Sequence, residues 1–215
     1  MYLIANMKSS LLFLSSSLLA HTTLAIPYEQ YILAPKSRTL HPISIHSSNG
    51  SVSAPEALLA SSSTNITTTF MGEAATAYDF GINIAGIVSL DITATSDTHQ
   101  AIGVTFSESS LWVSNKSSDA TADAGKDETL WFNVTGPGRY TAPREKERGG
   151  FRYMTLVHEG SGSVEIEGVD VHYTPMPHWK DDAIGNYTGW FHCDGNLPFP
   201  LPLPILNLGR GLMLV

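Results

Sequence analysis

Through the middle of this chain, apolar residues recur at every second position, and no stretch of useful length repeats them at helical spacing. A period of two sends alternate side chains to opposite faces of a strand, so this pattern calls for half-buried strands. The segment 86–95, GIVSLDITAT, sets Val88, Leu90, Ile92 and Ala94 against Ile87, Ser89, Asp91 and Thr93. Ile102, Val104 and Phe106 share one side of the next run. Leu130, Phe132 and Val134 oppose Trp131 and Asn133, and Phe151, Tyr153, Thr155 and Val157 share a face. The run 164–173 alternates until Gly168 shifts its phase, as a bulge or tight turn does. With Thr76–Phe80, which is expected to end at Gly81, about six strands alternate with turn residues. The expected fold is all-β: an antiparallel β-sandwich, jelly-roll-like, over residues 70–180.

Composition narrows the function classes. Charged residues make up only 15% of the 215, against about 25% in an average globular chain. With 42% hydrophobic residues this is not the composition of a disordered chain. A net charge of −8 argues against a phosphate-binding surface, so no nucleic-acid partner is expected. The lone Cys193 rules out an internal disulfide framework and a four-cysteine metal site.

The ends read differently from the middle. In residues 1–25, Lys8 precedes Leu11-Leu12-Phe13-Leu14 and Leu18-Leu19-Ala20, and small residues stand at Thr23 and Ala25. That apolar run is too short to span a bilayer and fits a secretory signal peptide. No other window is long and apolar enough for a membrane span. Five Asn-x-Ser/Thr triplets, at Asn49, Asn65, Asn115, Asn133 and Asn186, are glycosylation candidates in a secreted, extracellular chain. Residues 26–69 are Ser/Thr-rich, and 47–53 and 61–69 read as loop or linker, with a turn at 55–60. Residues 181–215 hold a short aromatic strand at 187–191 and then Pro198, Pro200, Pro202 and Pro204. Prolines at every second position forbid a helix and remove ladder donors from a strand, so this tail is irregular or polyproline-like.

The search for chemistry finds no assembled centre. Asp79, Asp91, Glu108, Glu145, Glu147 and Glu159 are the acids a glycosidase pair would draw on, and each reads as a solvated face or turn residue. The histidines lack the short-range pairing of a zinc site, and no glycine loop opens a helix, so neither metal nor cofactor is expected. The distinctive stretch is 140–153, YTAPREKERGGFRY. Its Arg144, Arg148 and Arg152 read either as a loop tied by Arg–Glu pairs or as a surface that docks a neighbouring domain. Trp112, Trp131 and Trp179 are candidates to stack on sugar rings, with a core or interface role as the alternative. Trp112 and the three arginines are thus the docking or sugar-rim candidates.

Several segments, in order, resemble the N-terminal part of fungal α-L-rhamnosidase-like enzymes of glycoside hydrolase family 78. They are Tyr78-Asp79-Phe80-Gly81 with Gly86-Ile87-Val88-Ser89-Leu90, and Phe106-Ser107-Glu108-Ser109-Ser110-Leu111-Trp112. Next come Tyr140 to Glu145, Arg148 to Tyr153, Val171 to Pro177, and Tyr187-Thr188-Gly189-Trp190-Phe191. The resemblance implies a secreted multidomain hydrolase in which non-catalytic β-sandwiches precede a six-hairpin (α/α) barrel. In that family the barrel supplies the acids that release terminal rhamnose with inversion. The chain departs from the pattern after Asp194, where Gly195 and the prolines replace the first barrel helix. No catalytic residue is therefore carried over, and a product truncated before the barrel is expected. The implied function is an accessory sandwich of a rhamnoside- or plant-polysaccharide-degrading enzyme, inactive alone. A free-standing carbohydrate-binding module and a secreted structural or adhesion glycoprotein remain as alternatives.

Overall fold

The structure is a computed structural model and describes residues 34–60, 66–119, 128–181 and 183–185. The predicted signal peptide, the strand at 187–191, the proline tail, Asn65 and Asn186 lie outside the described residues. Eight strands follow in chain order: β1 Thr39–Leu40, β2 Ser44–Ser53, β3 Thr68–Thr95, β4 Gln100–Ser107, β5 Leu130–Val134, β6 Gly138–Thr141, β7 Arg148–His158 and β8 Ser163–Tyr173. Every pairing between strands is antiparallel. Helical structure among the described residues is limited to three single 3-10 turns, at Pro55–Leu58, Ser110–Trp112 and Arg144–Lys146.

One strand organises both layers of the sandwich. β3 is 28 residues long. Its first half pairs with β2 and β7, which leads on through β4 to β5. Its second half pairs with β8 and β6, and β1 closes the far side of β8. The sheet curls shut where Thr68–Met71 also pairs with Ile166–Ser163. The sequence reading ended a strand at Gly81, but the chain runs on. Gly81 takes φ +77°, a value L side chains rarely adopt, and the register with β7 jumps between Asp79 and Ile84. The glycine therefore bends the strand from one layer to the other instead of stopping it.

The core lies between the layers. Val88, Leu90, Ile92, Val164, Ile166, Val169 and Val171 from one layer meet Phe70, Tyr78, Ile102, Val104, Phe106, Phe132, Val134, Met154 and Leu156 from the other in a single buried cluster. Burying each such side chain contributes about 1.5–3 kcal/mol. The inward sets expected for 86–95, 102–106 and 130–134 are buried except at Ala94 and Leu130, which are half-buried, Leu130 packing against the core. The phase shift at Gly168 is a bulge: Asp91 pairs with Gly168 and Ile92 with Ile166, which leaves Glu167 unpaired. In β7 the expected face holds only in part. Phe151 enters the core, but then Met154 and Leu156 do so rather than Tyr153 and Val157. Over the same stretch the register with β3 shifts twice, between Asp79 and Ile84 and between Ile84 and Gly86.

The stretch 47–53, read as loop, is most of β2. Its side chains are nearly all exposed, so no alternation marks it. Main-chain pairing with β3 holds it, with bulges between Ile45 and Ser47 and between Asn49 and Ser51. Ile45 and Val52 pack against the core from this edge. The turn Pro55–Leu58 is anchored by the buried Tyr78, whose hydroxyl donates to the Pro55 carbonyl at 3.0 Å.

Candidate functional site

Strand direction brings three separate segments to one end of the first layer. β4 leaves at Ser107, β5 enters at Leu130 paired with Val104, and β7 enters at Arg148 with Tyr153 paired to Ser107. The C-terminal end of β4 and the N-terminal ends of β5 and β7 are therefore neighbours, and their loops enclose a groove of about 800 Å³. Phe106, Glu108, Ser109 and Trp112 line it from the first segment. Glu128 to Trp131 line it from the second and Pro143 to Gly150, without Arg144, from the third.

The wall after β4 is held by hydrogen bonds to the strand itself. The Phe106 N–H donates to Ser118 Oγ at 3.1 Å and the Asp119 N–H to the Phe106 carbonyl at 2.9 Å. Asp119 Oδ2 accepts from Ser107 Oγ at 3.0 Å and from the Glu108 N–H at 2.8 Å. Its Oδ1 is buried and has no hydrogen-bond partner among the described residues. The turn Ser110–Trp112 is capped by Ser109, whose Oγ accepts from the Leu111 N–H at 3.3 Å. That cap projects Leu111 and Trp112, which are 83% and 69% exposed.

Trp131 stands on the outer side of β5, opposite Gly103 of β4. A Cβ on Gly103 would lie 2.8 Å from the indole ring, so the glycine is what lets the ring approach the β4 backbone. The ring remains 41% exposed. On the third wall the Arg148 guanidinium carbon sits 5.7 Å from the centre of the Phe106 ring. Glu108 Oε2 accepts from Asn83 Nδ2 at 3.2 Å, and Glu147 Oε1 accepts from Thr174 Oγ1. The groove thus combines two exposed indoles with a lining rich in carboxylates.

The arginine-rich stretch divides among three places. Arg148 and the acids Glu145 and Glu147 reach the groove, together with Glu108 and Trp112. Arg144 lines a different cleft with Arg38, His172 and Asp181. Arg152 grips Asp79 across the β3–β7 ladder through two contacts of 2.8 Å, and this partner holds the Asp79 carboxyl below its ordinary range. Among the other candidate acids, Asp91 accepts from Arg139 at 2.7 Å; Asp170, outside that set, accepts from the same guanidinium at 2.8 Å and is the main reason it is held charged more firmly than usual. Glu159 lines a further cleft beside Asn49 and Asn115. Asn49, Asn115 and Asn133 are exposed, the first and last of them on strands. Among the described residues no group of three or more His, Cys, Asp or Glu is placed to hold a metal ion, and no helix is long and apolar enough to cross a membrane.

Sequence reasoning missed Arg38. Its side chain is 7% exposed, and its guanidinium donates to the main-chain carbonyls of Tyr173, Pro175, Met176 and Trp179 and to Asp181. The acceptors lie 135 to 143 residues away and are mostly backbone, so no side-chain pattern announces them. Trp131 carried a usable signal: with Leu130, Phe132 and Val134 facing inward, parity sends it outward.

No family model and no curated protein matches the chain. Among solved structures, a family 78 rhamnosidase of Bacillus sp. GL1 is similar at 20% identity and TM-score 0.42 over 56% of this chain and 12% of its own. A rhamnosidase from Klebsiella oxytoca with rhamnose bound is similar at 15% identity and TM-score 0.41, over 67% of this chain and 30% of its own. A family 32 carbohydrate-binding module from a family 31 glycoside hydrolase of Clostridium perfringens is similar at 12% and 0.40, over 61% and 96%. The chain therefore spans less than a third of the length of either rhamnosidase. At such identities and TM-scores the likeness assigns neither activity nor ligand.

Proposed function

We propose that this chain is a non-catalytic, carbohydrate-facing β-sandwich of a secreted α-L-rhamnosidase-like glycoside hydrolase, acting beside an (α/α) barrel that supplies the catalytic acids. The observation that carries the reading is the groove itself. Trp112 and Trp131 line it and are exposed, and carboxylates and a guanidinium line it with them. Sugar rings offer an apolar C–H face to an indole and a rim of hydroxyls to charged acceptors and donors, so this mixture suits a glycan. A purely apolar docking face would not carry five carboxylates, whose desolvation it would have to offset. The motif order that resembles family 78 rhamnosidases supports the placement in that class of enzyme.

A free-standing carbohydrate-binding module is the second reading, favoured by the same exposed tryptophans. The two share the groove and differ in whether a barrel is needed for binding. The test is a nitrophenyl α-L-rhamnoside assay paired with calorimetry of the purified chain against a neutral rhamno-oligosaccharide. No turnover with saturable heat is expected; turnover above the buffer rate would overturn the non-catalytic reading. An isotherm that is unchanged when a rhamnosidase barrel is fused after the sandwich favours the module, and one that tightens favours the accessory domain.

A further inference from the structure

The charge of the groove points to one class of glycan over another. Glu108, Asp119, Glu128, Glu145 and Glu147 face Lys146 and Arg148, five carboxylates against two cations. Glu128 and Glu145 are exposed on opposite walls, on the approach to β5 and in the turn before β7. Asp119 adds a carboxylate whose buried Oδ1 has no hydrogen-bond partner among the described residues. A polysaccharide of uronic acids would bring a carboxylate per ring into this negative field, and like-charge juxtaposition penalises binding. A neutral chain meets no such penalty. Its hydroxyls donate to the carboxylates, while its C–H faces lie on the indoles.

We infer that the groove selects neutral glycans and rejects polyuronates, with Glu128 and Glu145 as the residues that set this preference. The inference rests on the carbohydrate-facing reading of the groove. It identifies the ligand by charge, as a neutral hydroxyl-rich oligosaccharide with exposed apolar ring faces, deoxy sugars included.

The experiment uses the full chain and three probes matched in length: a neutral rhamno-oligosaccharide, oligogalacturonate, and the same oligogalacturonate fully methyl-esterified. The ester pair changes the charge and keeps the sugar backbone. The neutral rhamno-oligosaccharide and the ester are expected to bind at least about tenfold more tightly than the free acid at low salt, and the gap is expected to shrink as salt is raised. The double substitution E128K/E145K, at two exposed positions, is expected to close most of that gap, chiefly by tightening binding of the free acid. Equal binding of ester and acid by the wild type, or a gap that survives E128K/E145K, overturns the selectivity and leaves the carbohydrate-facing groove standing. Failure of every probe to bind overturns both.

Discussion

Two neighbouring regions of this sandwich, joined where Thr174 Oγ1 donates to Glu147 Oε1, treat their side chains in opposite ways. Where β8 gives way to the segment after Tyr173, Arg38 is buried and its guanidinium is saturated by carbonyls and Asp181. Where β4 leaves and β5 and β7 enter, Trp112 and Leu111 are held out by a capped turn and an Asp119 oxygen has no partner among the described residues. The first region uses charge to join distant parts of the chain. The second leaves aromatic surface and the carboxylates of Glu128 and Glu145 exposed, a cost that folding alone does not require. That contrast separates the part of the fold that makes the domain stable from the part that can meet a ligand.

The contrast predicts effects that descend from the clamp to the groove. Arg38→Met should be the most damaging, by about 3–5 kcal/mol, because four carbonyls lose their donor in a place water reaches poorly. Chemical denaturation measures it, and a loss below about 1 kcal/mol would show that the clamp is solvated. Leu156→Ala, in the core between the layers, should cost about 2–4 kcal/mol in the same measurement.

The Asp79–Arg152 pair should cost less. Because the folded state depresses the Asp79 pKa, the pair stabilises fully above the unfolded carboxylate value of about 3.9 and is lost as pH falls through the lower folded value. Asp79→Asn should therefore lower stability by about 1 kcal/mol at neutral pH, discounted for the partly exposed Arg152, and by nothing once acid has protonated Asp79 in the wild type. Unfolding midpoints of wild type and variant that stay apart down to the lowest accessible pH would refute that linkage. In the groove, Trp112→Ala should change stability by no more than about 0.5 kcal/mol, since the indole is largely in water.

The same division decides what could be read from the sequence. The inward sets Val88-Leu90-Ile92, Ile102-Val104-Phe106 and Leu130-Phe132-Val134 were legible because alternate burial is written into residue type. β2 was not, because an exposed, Ser-rich edge strand owes its place to main-chain pairing with β3, which leaves no trace in side-chain pattern. Gly81 was legible as a break in pattern, but whether a glycine ends a strand or bends it depends on what pairs beyond it. At the groove, Trp112 and Arg148 stood out individually. Their meeting with Glu108, Glu128 and Trp131 follows from the antiparallel order β7-β4-β5, a long-range fact no local spacing contains. Arg144 and Arg152, neighbours in the same charged stretch, were carried to other surfaces by that order.

The most direct test of the central claim is a titration of the neutral rhamno-oligosaccharide into the wild-type chain and into W112A/W131A, with the unfolding midpoint recorded for both. Saturable binding by the wild type, lost by at least about tenfold in a double variant that melts within a few degrees of it, is the predicted result. Undiminished binding by the double variant would contradict the assignment of the groove as the place where sugar is held.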